Sequence, residues 1–502
     1  MALRKILGIE TEFGIVHRGV PESNPVTASS LLINAYLADL ARSEAAGGRV
    51  GWDFEDESPG NDARGDGGPA DPPEVETHLV NAVLTNGARY YVDHAHPEMS
   101  SPECGDARSI VVYDRASEVI LQRSMVAAGR MLPEHEEVVV HKNNSDGKGN
   151  SYGCHENYLL SRTVPFPRVV AAVTPHFVTR QIFSGAGKIG CEASGSMGEG
   201  VTYQLTQRAD FFEAEVGLET TLKRPIVNTR DEPHADAQKY RRLHVITNDA
   251  NCSETATFLK VGTTAFVLCL LEDGLLGDPF VLRSPVNAMR RVSYDLDLRF
   301  AIPLADGTTA TALDVQNDLL ARSRAWAEEH GFEAVGGEAV GVAVLDAWER
   351  VLADLEVDPL RAADRVDWVA KKRILDGYRD RHGLEWSDPR LAALALQYHD
   401  LRPERSLAAR AGLVRITTDD EVERAVTDPP EDTRAYFRGR CLQRWSDQVV
   451  AANWDSIVFD VGEDTLRRVP MMEPARGTRA HVGTVIDGSA TPSELLARLA
   501  GE

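Results

Sequence analysis

Residues 86–104 read NGARYYVDHAHPEMSSPEC and gather several side chains that can do chemistry. Their first half alternates as a strand does, with Arg89, Tyr91 and Asp93 on one face and Tyr90 and Val92 on the other. A cation, a phenol and a carboxylate therefore share a surface, and beyond a His-Pro corner Glu98 brings a second carboxylate. Charges in a row also describe an ordinary solvated sheet face. Residues 5–15, KILGIETEFGI, tip the balance: they form a second short apolar strand whose Glu10 and Glu12, at i and i+2, point to the same side. Two strands that each offer carboxylates from one face make an oxygen-lined bowl for hard divalent cations such as Mg2+.

Other elements must position that bowl. Residues 28–43 carry apolar side chains at helical spacing, and a helix over about 106–131 opens on Asp106 as its cap. Between the first helix and the Arg89 strand, residues 51–74 are rich in glycine, proline and acidic residues. Such a segment buries too little apolar surface to offset its ordering entropy, and it reads as a mobile acidic insertion. Trp52 and Phe54 would let it dock transiently over a site, and its removal is expected to leave folding intact while altering turnover. Residues 141–158 are a Gly/Asn/Ser loop running into a strand, with His155 and Asn157 on one face and Cys154 and Glu156 on the other. His244 lies on a further strand. Residues 183–188, FSGAGK, lack the first glycine and the Ser/Thr of a phosphate loop, so a nucleotide here would be held by metal and arginines. The densest cationic stretch runs through 223–242 and, with Arg208, could clamp a carboxylate-bearing substrate. Helical patterns dominate 313–400, Pro429-Pro430 marks a boundary, residues 451–459 read as one apolar strand carrying Trp454, and a capped helix starts at Thr491.

The totals exclude several classes of protein. The 502 residues can bury a large core, and a net charge of −23 disfavours nucleic acid or an anionic membrane as partner. The longest apolar run, near 265–271, is short of membrane-spanning length, and the N-terminus lacks the pattern of a signal peptide, so a cytoplasmic protein is expected. Six scattered cysteines with no CxxC pair point to reduced thiols rather than zinc or disulfides.

GIETEFG at 8–14, NGARYYVDHAHPE at 86–98, GNSYGCHENY at 149–158 and NTRDEPHADAQKYRRLHVI at 228–246 together resemble the Pup-ligase/depupylase family, which acts on the ubiquitin-like tag Pup. The resemblance implies an α+β, glutamine synthetase-like fold: a curved antiparallel cradle backed by helices over 1–430, with a small C-terminal domain over 431–502. It further implies Glu10, Tyr91 and Glu98 as magnesium ligands, with Glu12, His155 and His244 as additional ones. Arg89, Ser101 and Trp454 would contact ATP or its hydrolysis products. Arg208 and Arg230 would engage the C-terminal end of Pup. Ser101 departs from the ligase branch, where threonine stands, but keeps the hydroxyl. The acidic insertion, expected over about 44–80, resembles the loop that marks the depupylase/deamidase branch.

That branch implies hydrolysis of the side-chain amide at the C-terminal residue of Pup, releasing ammonia or a protein lysine. Pup, pupylated proteins and a functional link to the proteasome are the implied partners. Asp93 is the residue expected to carry the reaction, by attacking the carbonyl or by activating water. The competing readings are the ligase, which would lack the insertion; a non-catalytic binding regulator, which would not need Glu10, Asp93 and Glu98 together; and a small-metabolite ligase, which would not bind Pup.

Overall fold

The computed structural model describes all residues except 43–49, 56, 58–59, 65–78, 194–197, 222, 278–279 and 502. Its frame is a ten-stranded sheet. In spatial order the strands are Tyr240–Asn248, Cys154–Ser161, Leu7–Glu12, His96–Ser100, Arg89–Asp93, Asn81–Val83, Val50–Trp52, Val449–Ala452, Ser456–Phe459 and Arg467–Pro470. Every neighbouring pair is antiparallel except Val50–Trp52 with Val449–Ala452. The sheet curls into a half-barrel backed by helices, as the α+β reading expects.

Alternation along the strands divides the two faces. Ile9, Tyr90, Val92 and Met99 point to the helical side and join the main hydrophobic core, while Glu10, Glu12, Tyr91 and Asp93 take the opposite side. The helix Ala107–Gly129 starts where its sequence says it should, with the Asp106 side chain accepting the Ser109 N–H at 2.8 Å. The helix Glu254–Glu272 runs through the middle of the core. By length and composition it could cross a membrane, its best window having a mean hydropathy of 1.4, yet that window is wholly buried inside the fold. The sequence did not show this because Lys260 and several threonines interrupt the apolar run; the Lys260 ammonium is satisfied by the Asp249 carbonyl at 3.0 Å.

Two expectations need correcting. Residues 451–459 are not one strand: Val449–Ala452 and Ser456–Phe459 form a hairpin. The Asn453 carboxamide oxygen accepts N–H bonds from Asp455 (3.1 Å) and Ser456 (2.7 Å), an Asx turn that reverses the backbone and puts Trp454 at the corner. Nor is the start of the acidic insertion mobile. Gly51 and Trp52 belong to a strand that joins the two parts of the sheet, and the Trp52 ring meets Trp454 edge-on at 5.1 Å. Further on, Asn61 and Ala63 exchange backbone bonds with Asp231 and Thr229. Within the expected mobile segment, residues 56, 58–59 and 65–74 lie outside the described residues. Deleting 51–74 is therefore expected to destabilise the protein, because it removes a strand. Trp52→Ala alone should cost about 3–5 kcal/mol of local stability, read by hydrogen exchange across 449–470; unchanged protection there would show that the strand is dispensable.

Residues after 430 build a second hydrophobic cluster from Tyr436, Phe437, Trp445, Ile457, Phe459, Ile486 and Leu495, completed by Val50, Trp52 and Val83. Arg438, fully buried on the helix Ala435–Trp445, ties this cluster to the cradle. It donates to the Gly87 and Trp454 carbonyls and, with Arg434, to the Glu103 carboxylate.

Candidate active site in the cradle

Strand register brings the candidate side chains together. Glu10 lies between Ser100 and His155, Glu12 opposite Glu98, Tyr91 opposite Glu98, Arg89 opposite Ser100, and His244 opposite Asn157. Residues paired across a sheet present their side chains to one face, so five strands converge on the concave surface. Two groups result, each with ligand atoms within 4.8 Å of one another: Glu10, His155 and His244, and Glu12, Asp93 and Glu98.

The charges in this bowl are unbalanced. Burial, with the carboxylates of Asp93, Glu12 and Glu10 beside it, holds Glu98 well above the ordinary carboxylate range. Burial would raise Glu10 as well, but the hydrogen bond from His155 and the charges of His244, Arg242 and His155 prevail and hold it low. The Tyr91 phenol is pushed up, first by burial and then by Glu98. Burial and the neighbouring Arg242 keep His244 neutral. Converging carboxylates beside two imidazoles form a donor set that a hard divalent cation fits: it relieves the repulsion raising Glu98 and takes the oxygen and nitrogen ligands on offer.

Asp93 sits at the mouth. It ends its strand at a two-residue hairpin in which His94 takes a left-handed backbone with φ 51°, and the His94 Nδ1 lies 2.7 Å from the Asp93 carboxylate. Burial would raise Asp93, but the hydrogen bond to His94 and the charges of His94, His155 and Arg89 outweigh it and hold it below its ordinary value. It is therefore an ionised carboxylate, half-exposed at the edge of the bowl.

A cleft with roughly 560 Å³ of empty space opens beside the bowl, walled by Gly8, Ile9, Glu10, Tyr158, Pro233, His234, Arg434 and Trp454. Ser101 also lines it, but its hydroxyl is occupied, accepting from the Ile9 N–H and donating to the Pro102 carbonyl, each at 3.0 Å. Arg89 stands between the rings of Trp52 and Tyr91, with its guanidinium carbon 3.9 and 4.0 Å from the two centroids. Glu57 completes that stack, accepting the Trp52 indole N–H at 2.6 Å. The two substrate arginines differ. Arg230 is partly exposed and paired with Glu232, whereas Arg208 is buried, its Nη1 on the Ile246 carbonyl at 2.5 Å and its Nε on Ser151 at 3.1 Å. Three neighbours of the site carried no individual role in the sequence: Asn157, Arg242 and His96. Asn157 and Arg242 alternate with His155 and His244 on the same strand faces, which was the available signal.

The family of this protein follows from its sequence at this point. The Pup-ligase protein family matches residues 5–458, and the chain belongs to it. It is 49% identical to the depupylase of Acidothermus cellulolyticus over 99% of this chain and all of that one. The Pup–protein ligase of Xylanimonas cellulosilytica is 38% identical over 96% of this chain and 99% of its own. Among solved structures, the complex of Pup with its ligase PafA matches with a TM-score of 0.79 at 30% identity, covering 99% of this chain and 95% of that one. PafA in complex with ADP matches with a TM-score of 0.74 at 34% identity, covering 81% and 90%.

Proposed function

We infer that this protein is an amide hydrolase of the Pup pathway, cleaving the amide C–N bond on the side chain of the C-terminal residue of Pup to release ammonia or a protein lysine. One observation carries the chemistry: an ionised, half-exposed Asp93 at the lip of a bowl holding two cation-capable groups. Full-length similarity to a depupylase, at higher identity than to a ligase, supports Pup as substrate and hydrolysis as the reaction.

Glu10, His155 and His244 would hold one Mg2+, and Glu12 and Glu98, with Tyr91 beside them, another. Bound Mg2+ would polarise the scissile carbonyl and anchor nucleotide phosphates. The cleft between Gly8 and Trp454 would take the nucleotide, as the ADP complex of PafA supports, and Arg89, across the strand pair from Ser100 of the cleft wall, would contact it. Residues 431–502 would act as a small domain that supplies Arg434 and Trp454 to that cleft. Arg230, partly exposed and with its backbone paired to that of Asp62, would meet the acidic end of Pup, while the buried Arg208 holds the Ile246 carbonyl. Asp93 either attacks the carbonyl with its own carboxylate oxygen or takes the proton of the water that attacks, and its His94 contact fixes the carboxylate's orientation. A cytoplasmic setting, with six free cysteines, and a functional link to the proteasome belong to the same reading.

The purified protein, given a Pup-conjugated substrate with Mg2+ and ATP, is expected to release free Pup, seen by gel and intact mass. Formation of conjugates from Glu-ended Pup and a lysine protein would instead make it a ligase.

A further inference from the structure

Asn157 stands in the middle of the cradle, across from His244 in one strand pair and Gly8 in the other. Its carboxamide makes three hydrogen bonds: Nδ2 donates to Glu10 Oε1 at 2.6 Å, and Oδ1 accepts from Arg242 Nη1 and from His244 Nδ1, both at 2.9 Å. A guanidinium has only donors and an ionised carboxylate only acceptors. The amide can therefore sit in one orientation; the flipped one would set NH2 against the guanidinium and oxygen against the carboxylate. With Oδ1 fixed toward His244, the Nδ1 of that ring must be the nitrogen carrying the proton. In a neutral imidazole this leaves Nε2 bare, and a bare nitrogen is what a metal ligand needs.

We propose that Asn157 is a positioning residue that locks His244 in the Nδ1-protonated tautomer and so presents Nε2 to a divalent cation held with Glu10 and His155. The same amide grips Glu10, so a single carboxamide aligns two of the three ligands. The inference rests on the reading of Glu10, His155 and His244 as cation ligands, and its test must separate the two.

Nitrogen-15 histidine spectra of the full-length protein without added metal report the tautomer directly, with the His244 signals assigned from their loss in His244→Ala. The expected result is a proton on Nδ1 and a bare Nε2. In Asn157→Ala that preference should be lost, and Mn2+, used as the spectroscopic probe, should bind about 10- to 100-fold more weakly. A proton on Nε2 in the wild type, or an Asn157→Ala variant with either its tautomer or its Mn2+ affinity unchanged, overturns the proposal. If His244→Ala and Glu10→Gln both leave Mn2+ binding unchanged, the ligand reading is what has failed. If both weaken it and Asn157→Ala does not, only the positioning role has failed.

Discussion

Asp93→Asn is expected to lower the rate of Pup release on the order of 10³-fold or more, while the melting temperature and nucleotide binding stay close to those of the wild type. The substitution keeps volume and hydrogen-bonding shape but removes the negative oxygen, and it sits at a half-exposed hairpin end rather than in the core. Nucleotide affinity should survive because the cleft walled by Gly8, Arg434 and Trp454 does not include Asp93. The charges of His94, His155 and Arg89 hold this carboxyl below its ordinary value of 3.8, so it remains ionised throughout pH 5–8. An acidic limb in the rate profile within that window should therefore not belong to Asp93. Single-turnover cleavage in ¹⁸O-water, followed by mass analysis of the peptide carrying Asp93, tests for attack by the carboxylate: label in Asp93 marks a mixed anhydride opened at the Asp93 carbonyl, because a water that attacks Pup directly labels Pup alone. Substantial turnover by Asp93→Asn would remove Asp93 from the chemistry altogether.

The bowl was legible because strands have a period of two. Glu10 with Glu12, Arg89 with Tyr91 and Asp93, and His155 with Asn157 each declare a common face from spacing alone. Which strands stand side by side is a tertiary fact, however. Nothing in the spacing places Glu10 between Ser100 and His155, and hence nothing separates the ligand atoms into two groups. Trp52 misled for a related reason. Its three-residue strand is embedded in a composition that reads as unstructured, and it is held by partners some 400 residues away, where Ala452 pairs with it and Trp454 packs on it. Arg208 was legible as a cation but not as a buried one. The register slips between Val245 and Asn248, and Arg208 reaches the Ile246 and Asn248 carbonyls at that irregularity. A guanidinium spent on backbone oxygens cannot be told from a substrate clamp by sequence. The cleft proposed for the nucleotide was the least visible feature, because its walls come from residues 6–10, 100, 101, 103, 157–159, 233, 234, 242 and the segment after 430.

That last wall stands on Arg438, and Arg438→Met is expected to cost about 3–5 kcal/mol, the usual result of removing one partner from a buried ion pair. Arg438 is fully buried and reaches the Glu103 carboxylate, the Gly87 carbonyl at 3.0 Å and the Trp454 carbonyl at 3.2 Å, with its guanidinium 5.0 Å from the Trp454 ring centroid. Methionine fills similar space but leaves all three oxygens without this donor. Arg434 remains on Glu103 at 2.7 Å, which limits the damage to the joint rather than the whole fold. The loss should appear as an earlier unfolding step of the 431–502 segment, seen by hydrogen exchange, and as weakened nucleotide binding, because Trp454 and Arg434 line the cleft. The clamp also has a defined pH window. Burial would raise Glu103, but the charges and hydrogen bonds of Arg438 and Arg434 bring it from 4.5 to about 2. A carboxyl lowered on folding adds stability that is complete above its unfolded value and fades as the pH falls toward its folded one. The stability gap between wild type and Glu103→Gln should thus be constant near neutral pH and close as the pH drops from about 4.5 to about 2. A gap that persists unchanged at the bottom of that range would mean that packing, not charge, holds the joint; an Arg438→Met protein with wild-type exchange across 431–502 would mean that the two parts are held together elsewhere.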